Sequence, residues 1–248
     1  MPLHVDRHDR VALLTLDEPE RRNALTAPLV AEIVAAMDEL DADAAVGAVV
    51  VTGAPPAFCS GADVQALAAM ASGTDEPGDV RTIYAGFLRI LESPLPTVAA
   101  VNGAAVGAGC NLALACDIRI AGRSAVFDAR FLRIGIHPGG GHTWLLDRAA
   151  GPQATAAMDL FGERVDGARA AAIGLAWECV ADDALLDRAL VLAARAAEVP
   201  RELSVRTKAT IRHTAALDAH DAAVRFELVH QVWSFRAHPG PAAGATRR

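Results

Sequence analysis

The chain has 248 residues, 52% of them apolar and 21% charged, with a formal net charge of −7. That balance excludes a disordered or fibrous chain, and the length allows one domain, or a domain with an appendage, around a large core. The acidic charge argues against a nucleic-acid or anionic-membrane partner held by bulk charge, and no apolar run reaches the roughly 18 residues of a membrane span.

The opening M-P-L-H-V-D-R-H-D-R lacks an apolar signal core, so a cytoplasmic protein is expected. Val11–Leu16 reads as a strand ended by D-E-P-E. Leu29, Ile33, Met37 and Leu40 then fall on one face of a helix. Val46–Thr52 is an apolar run of strand length, followed by the turn Gly53-Ala-Pro-Pro-Ala. Phe58-Cys-Ser-Gly-Ala-Asp63 comes next, with a helix expected to open near Asp63 and a polar loop at 72–79. Thr97–Val101, Asp117–Ala121 and Ala125–Phe127 read as further strands. His137–His142 is a glycine loop, with Thr143 placed to cap the helix after it. From about residue 152 to 236 the pattern is helical, broken once near Val165-Asp-Gly, and the tail P-G-P-A-A-G-A-T-R-R reads as frayed. Strand, turn and helix repeat up to about residue 125, which predicts an α/β fold with buried strands. Cys59, Cys110, Cys116 and Cys179 form no C-x-x-C pair and have no histidines at ligand spacing, so buried thiols in a reducing compartment and no metal site are expected.

Two glycine turns follow buried strands and lead into predicted helices: Ser60-Gly61-Ala62-Asp63 and Gly107-Ala108-Gly109-Cys110. Glycine permits unusual backbone angles, and the first amides of a helix have no internal partner. Two such N–H groups converging on one carbonyl oxygen would form an oxyanion hole. The same residues also suit plain tight packing. A dinucleotide fingerprint at Gly107-Ala-Gly109 fails, because its third glycine would fall on Leu112.

Four stretches resemble the crotonase, or enoyl-CoA hydratase/isomerase, superfamily. They are P-E-R-R-N-A-L-T at 19–26, F-C-S-G-A-D at 58–63, P-T-V-A-A-V-N-G-A-A-V-G-A-G-C-N-L-A-L-A-C-D at 96–117 and L-F-G-E-R-V-D-G-A-R-A-A-A-I-G-L at 160–175. They come in the family's order over nearly the whole chain. The resemblance implies stacked ββα units forming two nearly perpendicular sheets ringed by helices over residues 1–190, with a helical region at 191–248 that builds trimers or dimers of trimers. It implies an acyl-CoA ligand, with coenzyme A part of the substrate and no separate cofactor. The backbone amides of Ala62 and Ala108 would hold the thioester oxygen, and Arg22, Asn23, Ala24, Ala62, Asp63, Val64 and Gln65 would lie along the CoA. Ala108 stands where the family commonly has glycine, a mild change for a backbone donor.

Two glutamates act on water and the α-proton in the family's hydratases; the resemblance places them at Asn111 and Phe131, and neither residue exchanges a proton. The glycine loop, where some isomerases of the family carry an acid, offers His137, Gly139 and His142. His137 precedes a proline and is held extended; it reads as a general base in the cleft or as a loop histidine bonded to backbone. His142 reads as a base near a helix start or as a cap, and Asp128 as a third acid/base candidate near the acyl group. Asp117 is expected to be structural, Arg130 and Arg133 to lie at a subunit contact or in solvent, and Cys110 to be a buried thiol. Trp144, Phe226, Trp233 and Phe235 read as core, interface or acyl-pocket residues. The expected function is an acyl-CoA-processing enzyme of enoyl-CoA hydratase/isomerase type with a non-standard acid/base group; the alternative is a non-catalytic acyl-CoA binder or carrier.

Overall fold

In the computed structural model of the chain, residues 1–63 and 78–238 are described. The larger sheet has six strands in the spatial order β1 (Leu3–His8), β2 (Val11–Leu16), β3 (Ala48–Gly53), β5 (Thr97–Val101), β7 (Ile118–Gly122) and β10 (Glu178–Val180). Only the β1–β2 pair is antiparallel; the others run parallel. Every residue of β3 and of β5 is buried, as expected of parallel strands covered on both faces. The smaller sheet has the order β4 (Ala57–Cys59), β6 (Ala104–Val106), β8 (Val126–Asp128) and β9 (Val165–Asp166).

Helix α1 (Ala27–Ala42) begins where Thr26 accepts a hydrogen bond from the Leu29 N–H, with Pro28 in its first turn. It buries Leu29, Val30, Ile33, Met37 and Leu40, the stripe visible in the sequence. Helix α2 (Gly78–Glu92) packs against it, and α3 (Ala108–Ala115) packs against α2 in turn. Gly78 and the residue after it are therefore helical, where a loop was expected. The helix expected near Asp63, and residues 72–77 of that loop, lie outside the described residues.

The strand-to-strand turns bring the site together. Asn102 donates its Nδ2–H to Gly53 O at 2.7 Å and accepts from Gly53 N–H at 3.3 Å. This couples the exits of β3 and β5, so β4 and β6 leave side by side, with Ala57 opposite Ala104 and Cys59 opposite Ala105. The two glycine turns follow directly.

After β8, helix α4 (His142–Asp159) starts from Gly141, so Thr143 lies inside the helix and caps nothing. The backbone of α4 breaks at Gly151 (φ 80°, ψ 170°), followed by Pro152. Helices α5 (Gly167–Ala172) and α6 (Leu185–Ala197) complete this unit. The region read as helical with one break thus contains β9 and β10 as well.

The chain divides into compact units after Glu198, whereas the sequence reading drew the line at 190–191. The reason is α6, whose Leu185, Ala189, Ala193 and Ala197 bury against Val11, Val50 and Val98 of the large sheet. The second unit, as far as it is described, is a pair of helices, α7 (Arg201–Thr214) and α8 (His220–Ala237). Within it Phe226 stacks on His213 at 3.9 Å and Arg206 lies over the Trp233 ring at 4.0 Å, while Phe235 is exposed. None of the described helices is long and apolar enough to cross a membrane.

Candidate active site

Gly61 and Gly107 both have positive φ, 97° and 54°. A Cβ at Gly61 would come 2.5 Å from Val106 O and 3.4 Å from Ala108 N, so only glycine lets the two turns lie this close. The main chain of residues 22–25 is tied to the first turn by Ser60 N–H to Arg22 O at 3.0 Å and Leu25 N–H to Gly61 O at 2.7 Å. Ala108 is the first residue of α3 and Ala62 forms a parallel bridge with Leu25. Among the described residues, neither the Ala62 N–H nor the Ala108 N–H has a backbone acceptor. The two turns that carry these amides lie against each other.

The residues expected along CoA are partly united. Arg22, Asn23 and Ala24 lie beside Ala62 and Asp63, and Arg21 reaches Asp63 at 3.3 Å. Arg22 and Asn23 adopt positive φ, 52° and 57°. The Asn23 side chain is fully buried and donates to Ala54 O and Ala57 O, both at 2.8 Å, so it braces the turn. Val64 and Gln65 lie outside the described residues.

Asn111 lies one turn into α3, 1% exposed. Its Nδ2–H donates to Gly139 O at 3.0 Å, which fixes the amide's orientation, and its Oδ1 faces His142 Nδ1 at 2.6 Å. Since Oδ1 only accepts, Nδ1 carries the hydrogen. His142 is also 1% exposed, and its side chain makes no capping bond. Its Nε2 lies 3.0 Å from Asp159 Oδ1, though off the axis of a hydrogen bond. A straight helix would hold His142 and Asp159 about 25 Å apart at 1.5 Å per residue. The break at Gly151 turns α4 back so that its two ends meet. The Phe131 ring lies edge-on to His142 with centroids 4.9 Å apart.

The other candidates are placed differently. His137 is exposed and its Nδ1 bonds Pro138 O at 2.7 Å, the arrangement of a loop histidine. Asp128 is 2% exposed, and its Oδ2 receives Arg130 at 3.0 Å, Arg133 at 2.5 Å and Arg164 at 3.2 Å. Three guanidiniums on one oxygen commit that carboxylate to ion pairing, and Arg130 and Arg133 belong to this clasp. Asp117 accepts from Thr97 N–H and Oγ1–H at 2.8 and 3.0 Å, tying α3's exit to β5. Cys110 and Cys59 are wholly buried, which pushes both thiols up to about 12. Trp144 is exposed, with Arg148 over its ring at 3.8 Å.

Two residues escaped the sequence reading. Asp159 had no visible role in the sequence, because only the Gly151 break brings it to His142. Tyr84, on α2, stands against the glycine loop: its phenol oxygen accepts the Gly140 N–H, and burial raises its pKa above the ordinary value against that bond. A Cβ on Gly139 would collide with the Tyr84 hydroxyl. The signal in the sequence was faint, a single tyrosine in the whole chain. Among the described residues no group of three or more metal-ligating side chains comes together.

The family profile of enoyl-CoA hydratase/isomerase matches residues 6–237. The chain is 50% identical over 240 residues to "Probable enoyl-CoA hydratase EchA14" of Mycobacterium tuberculosis strain H37Rv, covering 95% of this chain and 92% of that protein. It is 37% identical over 195 residues to the 2,3-dehydroadipyl-CoA hydratase of Escherichia coli K12, covering 79% and 75%. Among solved structures, an enoyl-CoA hydratase subunit I from Geobacillus kaustophilus superposes with a TM-score of 0.88 at 30% identity, covering 100% of this chain and 96% of that one.

Proposed function

Because the chain belongs to the enoyl-CoA hydratase/isomerase family, we propose that it is an enzyme acting on an acyl-CoA thioester, whose carbonyl oxygen is held by the backbone N–H groups of Ala62 and Ala108. The observation that carries this reading is that the turns at Gly61 and Gly107 lie against each other while neither the Ala62 nor the Ala108 N–H has a backbone acceptor among the described residues. Two fixed donors at that oxygen stabilise the charge it gains when the α-carbon loses a proton. The segment 22–25 and Asp63 line the approach for the CoA part, and coenzyme A enters and leaves with the substrate. Exposed apolar side chains such as Trp144, Phe161 and Trp177 support burial between copies, as a homotrimer or a dimer of trimers.

One observation favours a second reading, a non-catalytic acyl-CoA binder. None of the three expected acid/base candidates stands free: Asp128 is clasped, His137 is bonded to Pro138 O, and His142 is bonded to Asn111. The two readings separate in heavy water. The protein is incubated with saturated and unsaturated acyl-CoAs and the thioesters are weighed by mass spectrometry. Enzyme-dependent α-deuteration, water addition or thioester cleavage supports the enzyme. Binding of the same thioesters with unchanged mass supports the binder. No binding of any thioester overturns both.

A further inference from the structure

Gly107, the residue before the Ala108 donor, is held from two sides by one short segment. Its N–H bonds Asp128 O at 2.9 Å, where the pairing of β6 with β8 ends. At the place a Cβ would occupy, Ala129 O and the Phe131 ring lie 3.8 Å away. Gly107 itself has φ 54° and ψ −116°, angles open to glycine and strained for other residues. Segment 128–131 therefore sets the turn from which the Ala108 N–H projects.

That segment bends sharply because Arg130 is left-handed, with φ 58° and ψ −19°. The conformation is disfavoured for a residue with a Cβ. The Asp128 side chain supplies the compensation: Arg130 returns its Nε and Nη2 to Asp128 Oδ2 at 3.2 and 3.0 Å. Arg133, in the 3-10 turn that follows, and Arg164, just before β9, close on the same oxygen. The carboxylate is 2% exposed, and a carboxylate that deep is stable only when paired. Its Oδ1 has no hydrogen-bond partner among the described residues, so the arginines alone hold it. One residue thus does two things: its side chain shapes the turn, and its carbonyl fixes Gly107. We infer that Asp128 is a positioning residue for the thioester hole, keeping Arg130 left-handed so that segment 128–131 fixes Gly107 and Gly107 aims the Ala108 N–H at the thioester oxygen. This rests on the thioester reading above. Asp128 touches no substrate and acts through Gly107.

The test is infrared difference spectroscopy of the full chain with butyryl-CoA labelled with carbon-13 at its carbonyl, alongside Kd by calorimetry. Hydrogen bonds to a carbonyl oxygen weaken the C=O bond, so the bound band in the wild type is expected below its position in free solution. Asp128→Asn keeps the shape and removes the charge. It is expected to return the band toward the solution position and to weaken Kd by up to about tenfold, the worth of one hydrogen bond. Adding Arg130→Gly to that variant is expected to recover the band, because glycine takes the left-handed angles unaided. A purely structural role would lower the melting temperature and leave the band where it was. If Asp128→Asn fails to fold, Arg130→Ala and Arg130→Gly carry the test: both lose the guanidinium, and only the alanine variant is expected to shift the band. A band unmoved in Asp128→Asn, displaced there but not recovered by Arg130→Gly, or equal in the two Arg130 variants overturns the inference while leaving the thioester reading intact. A wild-type band at its solution position, or no binding at all, overturns the two together.

Discussion

His142 Nδ1 and Asn111 Oδ1 meet at 2.6 Å, each residue 1% exposed. Position 111 is where proton transfer would be sought on this helix, and the side chain there is locked from behind. Asn111→Leu leaves the buried His142 Nδ1–H without a partner and the Gly139 carbonyl with only the His142 backbone N–H, at 3.3 Å. It is expected to lower the unfolding free energy by about 2–4 kcal/mol, read from urea titration.

The Ala108 amide can be deleted without removing the helix. Position 108 is the first of α3, where proline's fixed φ and missing N–H are tolerated. Ala108→Pro should keep a melting temperature near that of the parent chain. Deuterium incorporation into a bound acyl-CoA should fall about 10²–10³-fold, as for loss of one oxyanion donor. Full incorporation with that amide absent would refute its assignment.

Cys59 and Cys110 impose a sign on alkaline stability. Burial pushes both thiols from 9.0 up to about 12, with a Gly61 backbone bond opposing the shift at Cys59. Between those values the unfolded chain has released its thiol protons while the native chain retains them. The unfolded state then binds fewer protons, so stability falls as pH rises from about 9 to 12. Each thiol contributes a slope of up to about 1.4 kcal/mol per pH unit. Chemical denaturation across that range should show a shallower slope in Cys110→Ala than in the parent.

Gly109 is set by contact rather than by conformation. A Cβ there would run into the carbonyl oxygen of Cys59, a backbone atom held by the β4–β6 pairing. Gly109→Ala is expected to cost about 2–4 kcal/mol by thermal or urea unfolding, through forced separation of the two turns.

Most of the fold was legible where periodicity reflects burial. The α1 stripe of Leu29, Ile33, Met37 and Leu40 and the unbroken apolar run of β3 left little choice of element. The edge strand β1 was not legible: only Leu3 is buried, and its form comes from pairing with β2. β9 and β10 span two and three residues, too short for a pattern. At the candidate site the glycine turns showed in the sequence, because close approach of backbones demands that residue type. The links from Asn111 to His142 and Asp159 did not, because they depend on the backbone reversal at Gly151, which a helical pattern across residues 142–159 conceals. His137, Asp128 and His142 looked alike as candidates; what separates them is solvent, three arginines and one amide.

The amides at 62 and 108 belong to peptide bonds, which every residue but proline supplies identically. Exchanging side chains at these two positions therefore leaves the donors in place, and the geometry that aims them resides in Gly61 and Gly107 instead. Mutational sensitivity is displaced by one residue from the groups that would meet the ligand. A scan that replaced only the donor residues with other side chains would find them expendable, and would miss the part of the molecule on which they depend.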